Sequence, residues 1–344
     1  PPPPASQSHR AGDLRTQLIS LKGGTRRFTS QPTFTERLAR RFTGAKSGAT
    51  VVHAVEDVSL HVGRGETLGL VGESGCGKST LGRIAAGILQ PTAGSAEIDG
   101  VPVMQHGRKR TTRVQMVFQD PFASLNPRMR VGDTISEGPR AHGLVSRDGA
   151  QSDVIRWLAA VGLDAEAAQR FPHQFSGGQR QRVAIARALA MHPDALICDE
   201  PVASLDVSIQ AQIINLFLQL RRDLNLTMLF ISHDLSVVRH VSDRIAVMYL
   251  GRIVETGRTE AVFNAPAHPY TRALLDSAPR LAADGAPAQD IHPIRGELPS
   301  PIHPPPGCSF HQRCAFAQES CKQELPLLRP AGEQREVACH FPLR

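Results

Sequence analysis

The sequence predicts an α/β protein with a mostly parallel sheet, followed by a small cysteine-rich unit. Short apolar runs alternate with helical segments from Val51 to about residue 265, which is typical of a parallel sheet covered by helices on both faces. A glycine-rich loop joins the apolar run Thr67–Val71 to a helical segment at 78–89, as in strand–loop–helix units that bind anions. Proline and cysteine become dense after residue 265.

The composition divides the chain into three segments. Residues 1–50 are basic and rich in proline, glycine, serine and threonine, so we expect a partly flexible N-terminal segment. Residues 51–265 form the α/β domain, with a helical subdomain at about 120–190. Residues 266–344 form a C-terminal extension that holds the cysteine cluster. The 344 residues suit two or three folding units of roughly 100–200 residues each.

Strands and helices within the α/β domain are indicated by apolar spacing. Val55, Val58 and Val62 predict paired strands that turn at Gly63–Gly65. Further buried strands are expected at 114–118, 195–198 and 228–231. The clearest helix follows Asp206, because the apolar residues recur at helical spacing at Ile209, Ile213, Leu216, Phe217 and Leu220.

Charge and hydropathy narrow the classes of function. The net charge is +7, and only five of the 39 basic residues are lysines. Such a surface favours an anionic partner, whether phosphate, nucleic acid or an anionic membrane face, although arginine richness also arises from codon bias. No apolar run approaches the roughly 20 residues that cross a bilayer, and no secretion signal is visible. We therefore expect a soluble, intracellular protein.

The loop from Gly72 to Ser79 matches the pattern G-x-x-x-x-G-K-[ST]. Its glycines let successive backbone N–H groups point at phosphate oxygens, and the following helix adds its positive end. Lys78 is expected to reach the β- and γ-phosphates, and the Ser79 hydroxyl to bind Mg²⁺. The expected nucleotide contacts are Gly72, Glu73, Ser74, Gly75, Cys76, Gly77, Lys78, Ser79 and Thr80.

A pair of acids ends the apolar run 195–198. Asp199 leaves a buried strand, so we expect it to hold the Mg²⁺ shell beside the phosphate loop. Glu200 lies one residue further and is expected to orient and deprotonate the attacking water. Taken alone, two acids at a strand end would be an ordinary cap.

The run Phe-Ser-Gly-Gly-Gln at 175–179, followed by RQRVAIARAL, resembles the signature motif of the ATP-binding-cassette (ABC) ATPases. The resemblance covers about 51–265 and implies a RecA-like core with an antiparallel β subdomain and a helical subdomain. It also implies a head-to-tail dimer, in which the signature of one subunit contacts ATP held by the phosphate loop of the other. The signature residues are Ser176, Gly177, Gly178 and Gln179, and Asp206 lies in the loop that joins the two cassettes.

The same resemblance assigns further roles. Gln119 matches the glutamine that touches Mg²⁺, together with Ser79 and Asp199, and His233 matches the histidine that contacts the γ-phosphate. Catalysis would then rest on Lys78, Glu200 and His233. The aromatic residue that stacks on adenine is expected at Phe28, with Phe34 and Phe42 as alternatives.

Three segments resemble the dipeptide/oligopeptide importer ATPases: 119–129, 267–275 and 307–314. The stretch 65–80 fits the same group and is nearest its F-type subunit. This implies a heterodimer with a second homologous ATPase, two membrane permeases and an extracytoplasmic solute-binding protein. The chain would lie peripherally on the cytoplasmic face of the inner membrane. The alternatives are a soluble ABC ATPase that acts on nucleic acid and an exporter ATPase; no nucleic-acid partner is expected. The sequence does not name the cargo.

Four cysteines have the spacing C-x₅-C-x₆-C-x₁₇-C: Cys308, Cys314, Cys321 and Cys339. In a chain without an export signal, such a cluster favours a metal site over disulfides. Four thiolates suit zinc or iron–sulfur equally, and free or disulfide-linked thiols are the third option. The resemblance to the peptide-importer tail favours one [4Fe–4S] cluster, with Zn²⁺ as the alternative.

Overall fold

The computed structural model describes residues 17–30, 50–277, 294, 296–332 and 334–343. The strands are β1 (Gln17–Ser30), β2 (Thr50–Gly63), β3 (Thr67–Val71), β4 (Ala93–Ile98), β5 (Val101–Pro102), β6 (Met104–Gln105), β7 (Arg108–Lys109), β8 (Val114–Val117), β9 (Ala195–Asp199), β10 (Thr227–Ile231), β11 (Arg244–Tyr249), β12 (Arg252–Arg258), β13 (Arg329–Pro330) and β14 (Glu336–Val337). The helices are α1 (Lys78–Ala85), α2 (Pro121–Ser124), α3 (Val131–Ala141), α4 (Ala150–Ala160), α5 (Gly177–Leu189), α6 (Val207–Leu224), α7 (Leu235–Val241), α8 (Thr259–Asn264), α9 (Pro269–Asp276) and α10 (Glu319–Gln323).

The larger sheet has eight strands in the order β13-β14-β12-β11-β3-β10-β9-β8. The five strands from β11 to β8 are parallel. Every residue of β3, β9 and β10 is buried, because helices cover both faces. The predicted α/β fold is confirmed, and the parallel arrangement brings the carboxyl ends of these strands to one edge of the sheet.

The second sheet is antiparallel, with the order β2-β1-β4-β5. Its strand β1 lies in the segment 1–50, for which the sequence predicts partial flexibility, and buries Leu18, Ile19 and Leu21. The ATPase-like domain therefore begins before the predicted boundary at 51. The sequence does not reveal this strand, because its pairing register with β2 shifts between Leu21 and Gly24. The shift interrupts the alternation of apolar residues that identifies a strand.

A helical layer built from α3, α4 and α5 lies in the predicted range of about 120–190. Ile135, Leu158 and Ile185 are fully buried and share one core cluster with the strands β9 and β10. This layer is thus packed directly on the sheet that carries the phosphate loop. None of the helices within the described residues is both long enough and apolar enough to span a membrane.

The C-terminal extension joins the larger sheet. Strand β14 pairs antiparallel with β12, and Glu255 lies opposite Val337. Further backbone bonds run from His53 N–H to the Pro301 carbonyl and from Leu343 N–H to the Ala267 carbonyl. The sequence alone indicates a separate small unit, whereas these contacts make the extension continuous with the α/β domain.

Candidate active site: the phosphate loop and the neighbouring strand ends

The phosphate loop connects β3 to α1, and its path requires glycine at two positions. Gly72 has φ 154° and Gly77 has φ 109°. A Cβ atom at either position would clash with a backbone carbonyl oxygen, of Met248 and of Ala54 respectively. The Lys78 ammonium lies inside the loop, where it donates to the carbonyls of Gly72 (2.8 Å) and Glu73 (2.9 Å). The loop and its lysine therefore have the form that the motif predicts.

Ser79 and Asp199 meet beside the loop. The Ser79 hydroxyl, in the first turn of α1, donates to Asp199 Oδ1 over 2.8 Å. Asp199 ends β9 and is only 3% exposed. Burial raises the pKa of this carboxyl, and the bond from Ser79 opposes that rise. A hydroxyl and a carboxylate at this spacing are oxygen ligands of the kind that Mg²⁺ prefers, so the residues fit the expected metal.

Gln119, Glu200 and His233 form a second polar group. The Gln119 side-chain amide donates to Glu200 Oε2 over 3.3 Å, and His233 Nδ1 lies 3.1 Å from the same oxygen. The three residues follow β8, β9 and β10, which are neighbours in the sheet. Glu200 adopts the left-handed backbone conformation, with φ 46°, a strained geometry that is concentrated at functional sites. One carboxylate oxygen is therefore shared by two side chains.

The signature residues begin helix α5. The Ser176 hydroxyl accepts from Gln179 N–H over 3.3 Å, and the Gln179 side chain accepts from Ser176 N–H over 3.0 Å, which is a capping box. Gly178 packs so closely on α6 that a Cβ would approach Ile209 Cγ2 to 2.5 Å. Asp206 is the N-cap residue of α6, and its side chain makes no capping bond there. The first N–H groups of α5 keep the orientation of an anion site.

The structure also shows two residues at the phosphate loop that sequence reasoning misses. Glu73 N–H donates to the Tyr270 hydroxyl over 2.9 Å. The Arg313 guanidinium donates to both carboxylate oxygens of Glu73, over 2.7 and 2.9 Å. Both residues lie in segments that the sequence assigns to the peptide-importer resemblance, and that assignment is the only signal that could have found them.

The candidates for adenine stacking are only partly covered by the structure. Phe28 lies near the end of β1, is 39% exposed, and has the Arg26 guanidinium 4.7 Å from its ring centre. Its exposed ring is available to a ligand. Phe34 and Phe42 lie outside the described residues.

Cys308, Cys314, Cys321 and Cys339 line one small pocket, together with His268. No disulfide joins any of these four described cysteines. Burial raises the pKa of Cys308 and Cys314, and raises that of Cys339 to about 11. Among the residues that the structure describes, no three or more histidine, cysteine or acidic side chains are arranged to hold a metal ion. The four cysteines thus converge as expected, but the predicted [4Fe–4S] or zinc ligation is not confirmed.

Comparison with known proteins gives concordant results. Residues 55–203 match the ABC transporter family, and residues 254–321 match the oligopeptide/dipeptide transporter C-terminal region. The di/tripeptide transport ATP-binding protein DppF of Pseudomonas aeruginosa is 48% identical over 301 residues, which cover 86% of this chain and 92% of that protein. The oligopeptide transport ATP-binding protein AppF of Bacillus subtilis is 48% identical over 295 residues, covering 84% and 90%.

A solved structure agrees with the fold. The dimeric ATP-binding cassette MJ0796, bound to ADP and phosphate in a post-hydrolysis state, superposes with a TM-score of 0.57 at 26% identity. The superposition covers 70% of this chain and 99% of that one.

The fold and the site define an ATP-hydrolysing P-loop protein. The sequence matches specify it further: the chain belongs to the ABC transporter family, in the branch that carries the oligopeptide/dipeptide C-terminal region. It is an ATPase subunit that couples hydrolysis to transport.

Proposed function

We propose that this subunit powers the import of dipeptides or oligopeptides, with Glu200 as the general base of ATP hydrolysis. The observation that carries the catalytic part is the contact of Gln119 and His233 with one oxygen of Glu200, beside the phosphate loop. The cargo class is supported by relatives that are named for di/tripeptide and oligopeptide transport.

Each residue of the site has a distinct task in this mechanism. Lys78 and the loop N–H groups bind the β- and γ-phosphates. Ser79, Asp199 and Gln119 would hold Mg²⁺, which when bound would supply positive charge beside the phosphate oxygens. Glu200 orients a water molecule and takes its proton, and His233 keeps the Glu200 carboxylate in place and contacts the γ-phosphate. The loop N–H groups and the buried Lys78 ammonium are fixed in place before ATP arrives, so they stabilise the phosphate charge without reorganisation.

The second part of the proposal is a head-to-tail dimer with a homologous ATPase. The N–H groups in the first turn of α5 form an anion site that is separate from the phosphate loop of the same chain. Asp206 begins the neighbouring helix α6. In such a dimer Ser176–Gln179 would contact the ATP of the partner subunit. A Glu200→Gln variant mixed with the homologous ATPase and MgATP should elute as a dimer in gel filtration. Elution of both chains as monomers would contradict the arrangement.

A groove beside the helical layer fits a helix from a permease. It has a volume of about 850 Å³ and lies between the core and α3. Apolar side chains of Phe118 and Met191 share its lining with Lys109, Glu137 and Arg187, and Gln119 follows Phe118 directly. Burial lowers the pKa of Lys109 to about 8. A mixed apolar and charged groove whose lining includes Phe118, the neighbour of Gln119, would link the permease to the site. It would also hold the subunit peripherally on the cytoplasmic face of the inner membrane.

Reconstitution tests the transport function. The chain, its partner ATPase and the two permeases are assembled in proteoliposomes, and the peptide-loaded solute-binding protein is added on the outer side. We expect ATP hydrolysis to rise and labelled peptide to accumulate only when the peptide-loaded solute-binding protein is present. Hydrolysis that responds to nucleic acid, and not to the loaded binding protein, would refute the importer function.

We further propose that the four cysteines hold one [4Fe–4S] cluster. The support is their convergence on a single pocket and the match of residues 254–321 to the importer C-terminal region. Four thiolates are a ligand set that both a cluster and Zn²⁺ accept, and the likeness to the importer C-terminal region is what favours the cluster. Anaerobic purification with iron and sulfide analysis tests this. A colourless protein with one zinc per chain would exclude the cluster.

A further inference from the structure

Glu73, the second residue of the phosphate loop, is held from outside the motif. Its N–H donates to the Tyr270 hydroxyl, and both of its carboxylate oxygens accept from Arg313. Its carbonyl accepts from the Lys78 ammonium over 2.9 Å. Every polar group of this residue is therefore engaged, and two of its partners, Tyr270 and Arg313, come from the chain beyond residue 265.

Arg313 is well fixed where it meets Glu73. Its side chain is 5% exposed, and it also donates to the Tyr249 hydroxyl over 3.4 Å. Tyr249, Tyr270 and Phe310 are buried and pack against one another, with ring centres 4.6 to 5.3 Å apart. A bidentate arginine–carboxylate contact fixes the relative orientation of the two side chains as well as pairing their charges. The cluster of Tyr249, Tyr270 and Phe310 holds the arginine in position.

The charge of Glu73 explains why such a contact matters. A carboxylate in a loop that binds triphosphate would repel the ligand, because like charges at short range disfavour each other most strongly where solvent is excluded. Arg313 neutralises this carboxylate and turns it towards the extension. Tyr270 fixes the backbone at the same residue. Both tasks are done by residues that no nucleotide motif contains.

We propose that Arg313 is a positioning residue for ATP binding, which neutralises Glu73 and, with Tyr270, fixes the first turn of the phosphate loop. The C-terminal extension then contributes to ATP affinity, through Arg313 and Tyr270, in addition to packing against the ATPase domain. This inference rests on the proposed role of Gly72–Ser79 in binding ATP.

The test measures the dissociation constant of MgATP for the full chain and three variants, Arg313→Gln, Glu73→Gln and the double variant. Arg313→Gln should weaken binding about tenfold, within the usual range for coupled groups. The double variant should recover to within about threefold of the unmodified chain, because the repelling carboxylate is gone. Arg329→Gln is the matched control: it removes an exposed positive charge from the same extension and should not change binding.

A merely structural role for Arg313 gives a different pattern. If the arginine only attaches the extension, the double variant will bind as weakly as Arg313→Gln, and the proposal fails; it also fails if Arg313→Gln binds as the unmodified chain does. If Arg313→Gln does not fold, Arg313→Lys replaces it, since lysine keeps the charge but not the paired contact. That variant should weaken binding about threefold, and unchanged binding contradicts the proposal. Loss of binding in the unmodified chain would instead refute the ATP site itself.

Discussion

The phosphate-loop end of the sheet and the C-terminal extension touch, yet they owe their structure to different forces. The loop lies between a fully buried strand and a helix, and its glycines allow the one path that surrounds a phosphate. The extension has strands of two residues and short turns, and it is held by a few buried side chains such as Phe310 and Val337. The first region is built mainly from its own buried strand, loop and helix, with Glu73 held by the extension, whereas the second depends throughout on what it packs against.

The two regions therefore have different roles: residues at the phosphate-loop end act on ATP, and residues of the extension position them. In the first region the residues that act on ATP all follow parallel strands or begin helix α1. In the second, residues such as Arg313 act on the first region only through contact. Variants in the two regions should therefore fail in different ways.

The largest effect is expected from the phosphate-loop end. Glu200→Gln should lower ATP hydrolysis about 1000-fold while MgATP stays bound, because the general base is lost and the phosphate contacts remain. Lys78→Ala should instead lose MgATP binding. Steady-state hydrolysis and equilibrium nucleotide binding distinguish the two. Glu260→Gln, an exposed carboxylate change, is the control and should behave as the unmodified chain does. Hydrolysis by Glu200→Gln within tenfold of normal would rule out the general-base role.

The extension should respond to loss of packing. Phe310 is 2% exposed, so Phe310→Ala should lower the local free energy of unfolding by about 3–5 kcal/mol. Amide hydrogen exchange across residues 308–343 measures this. Phe316→Ala, at a ring that is 55% exposed, should change the same free energy by less than about 0.5 kcal/mol. Equal protection in the two variants would show that the extension does not depend on its aromatic contact with the core.

The smallest effect is a gain in stability at the site. Burial raises the pKa of Asp199, so the folded state resists its ionisation and loses stability as pH rises through that pKa. Asp199→Asn removes the buried charge and should raise the unfolding midpoint of the Mg²⁺-free chain by about 2–4 °C at neutral pH. The gain should shrink as pH falls towards about 4, where roughly half of the unfolded carboxyl is protonated.

Scanning calorimetry between pH 4 and pH 8 tests this pH dependence. Asp148→Asn, at an exposed loop position, should leave the midpoint unchanged. A lower midpoint for Asp199→Asn at neutral pH would mean that the charge is stabilising without Mg²⁺, contrary to the expectation from its burial.

The sequence predicts those site residues that belong to a local motif. Asp199 and Glu200 were identifiable because they end a buried apolar run beside the phosphate loop, whereas His233 was assigned from the resemblance to the ABC ATPases. Strand β1 was missed because its irregular register hides the alternation of apolar residues. Arg313 was missed for another reason: its partner Glu73 lies 240 residues away, and only the folding of the extension onto β12 brings the two together.

For the four cysteines, the sequence predicts their common location but not their ligand. Their spacing predicts a common pocket, and the structure has one. Their ligand remains a proposal, since ligand identity depends on distances between sulfur atoms that spacing along the chain does not determine.

The separation of Glu73 and Arg313 also sets an order of events during synthesis. At roughly 5–20 residues per second, the ribosome adds the 240 residues between them in about 10 to 50 seconds. Throughout that time the residues of the phosphate loop have been made, but the Glu73 carboxylate has no arginine beside it. If Arg313 has the proposed positioning role, the chain reaches its full affinity for nucleotide only after Arg313 has been made and has folded against Glu73.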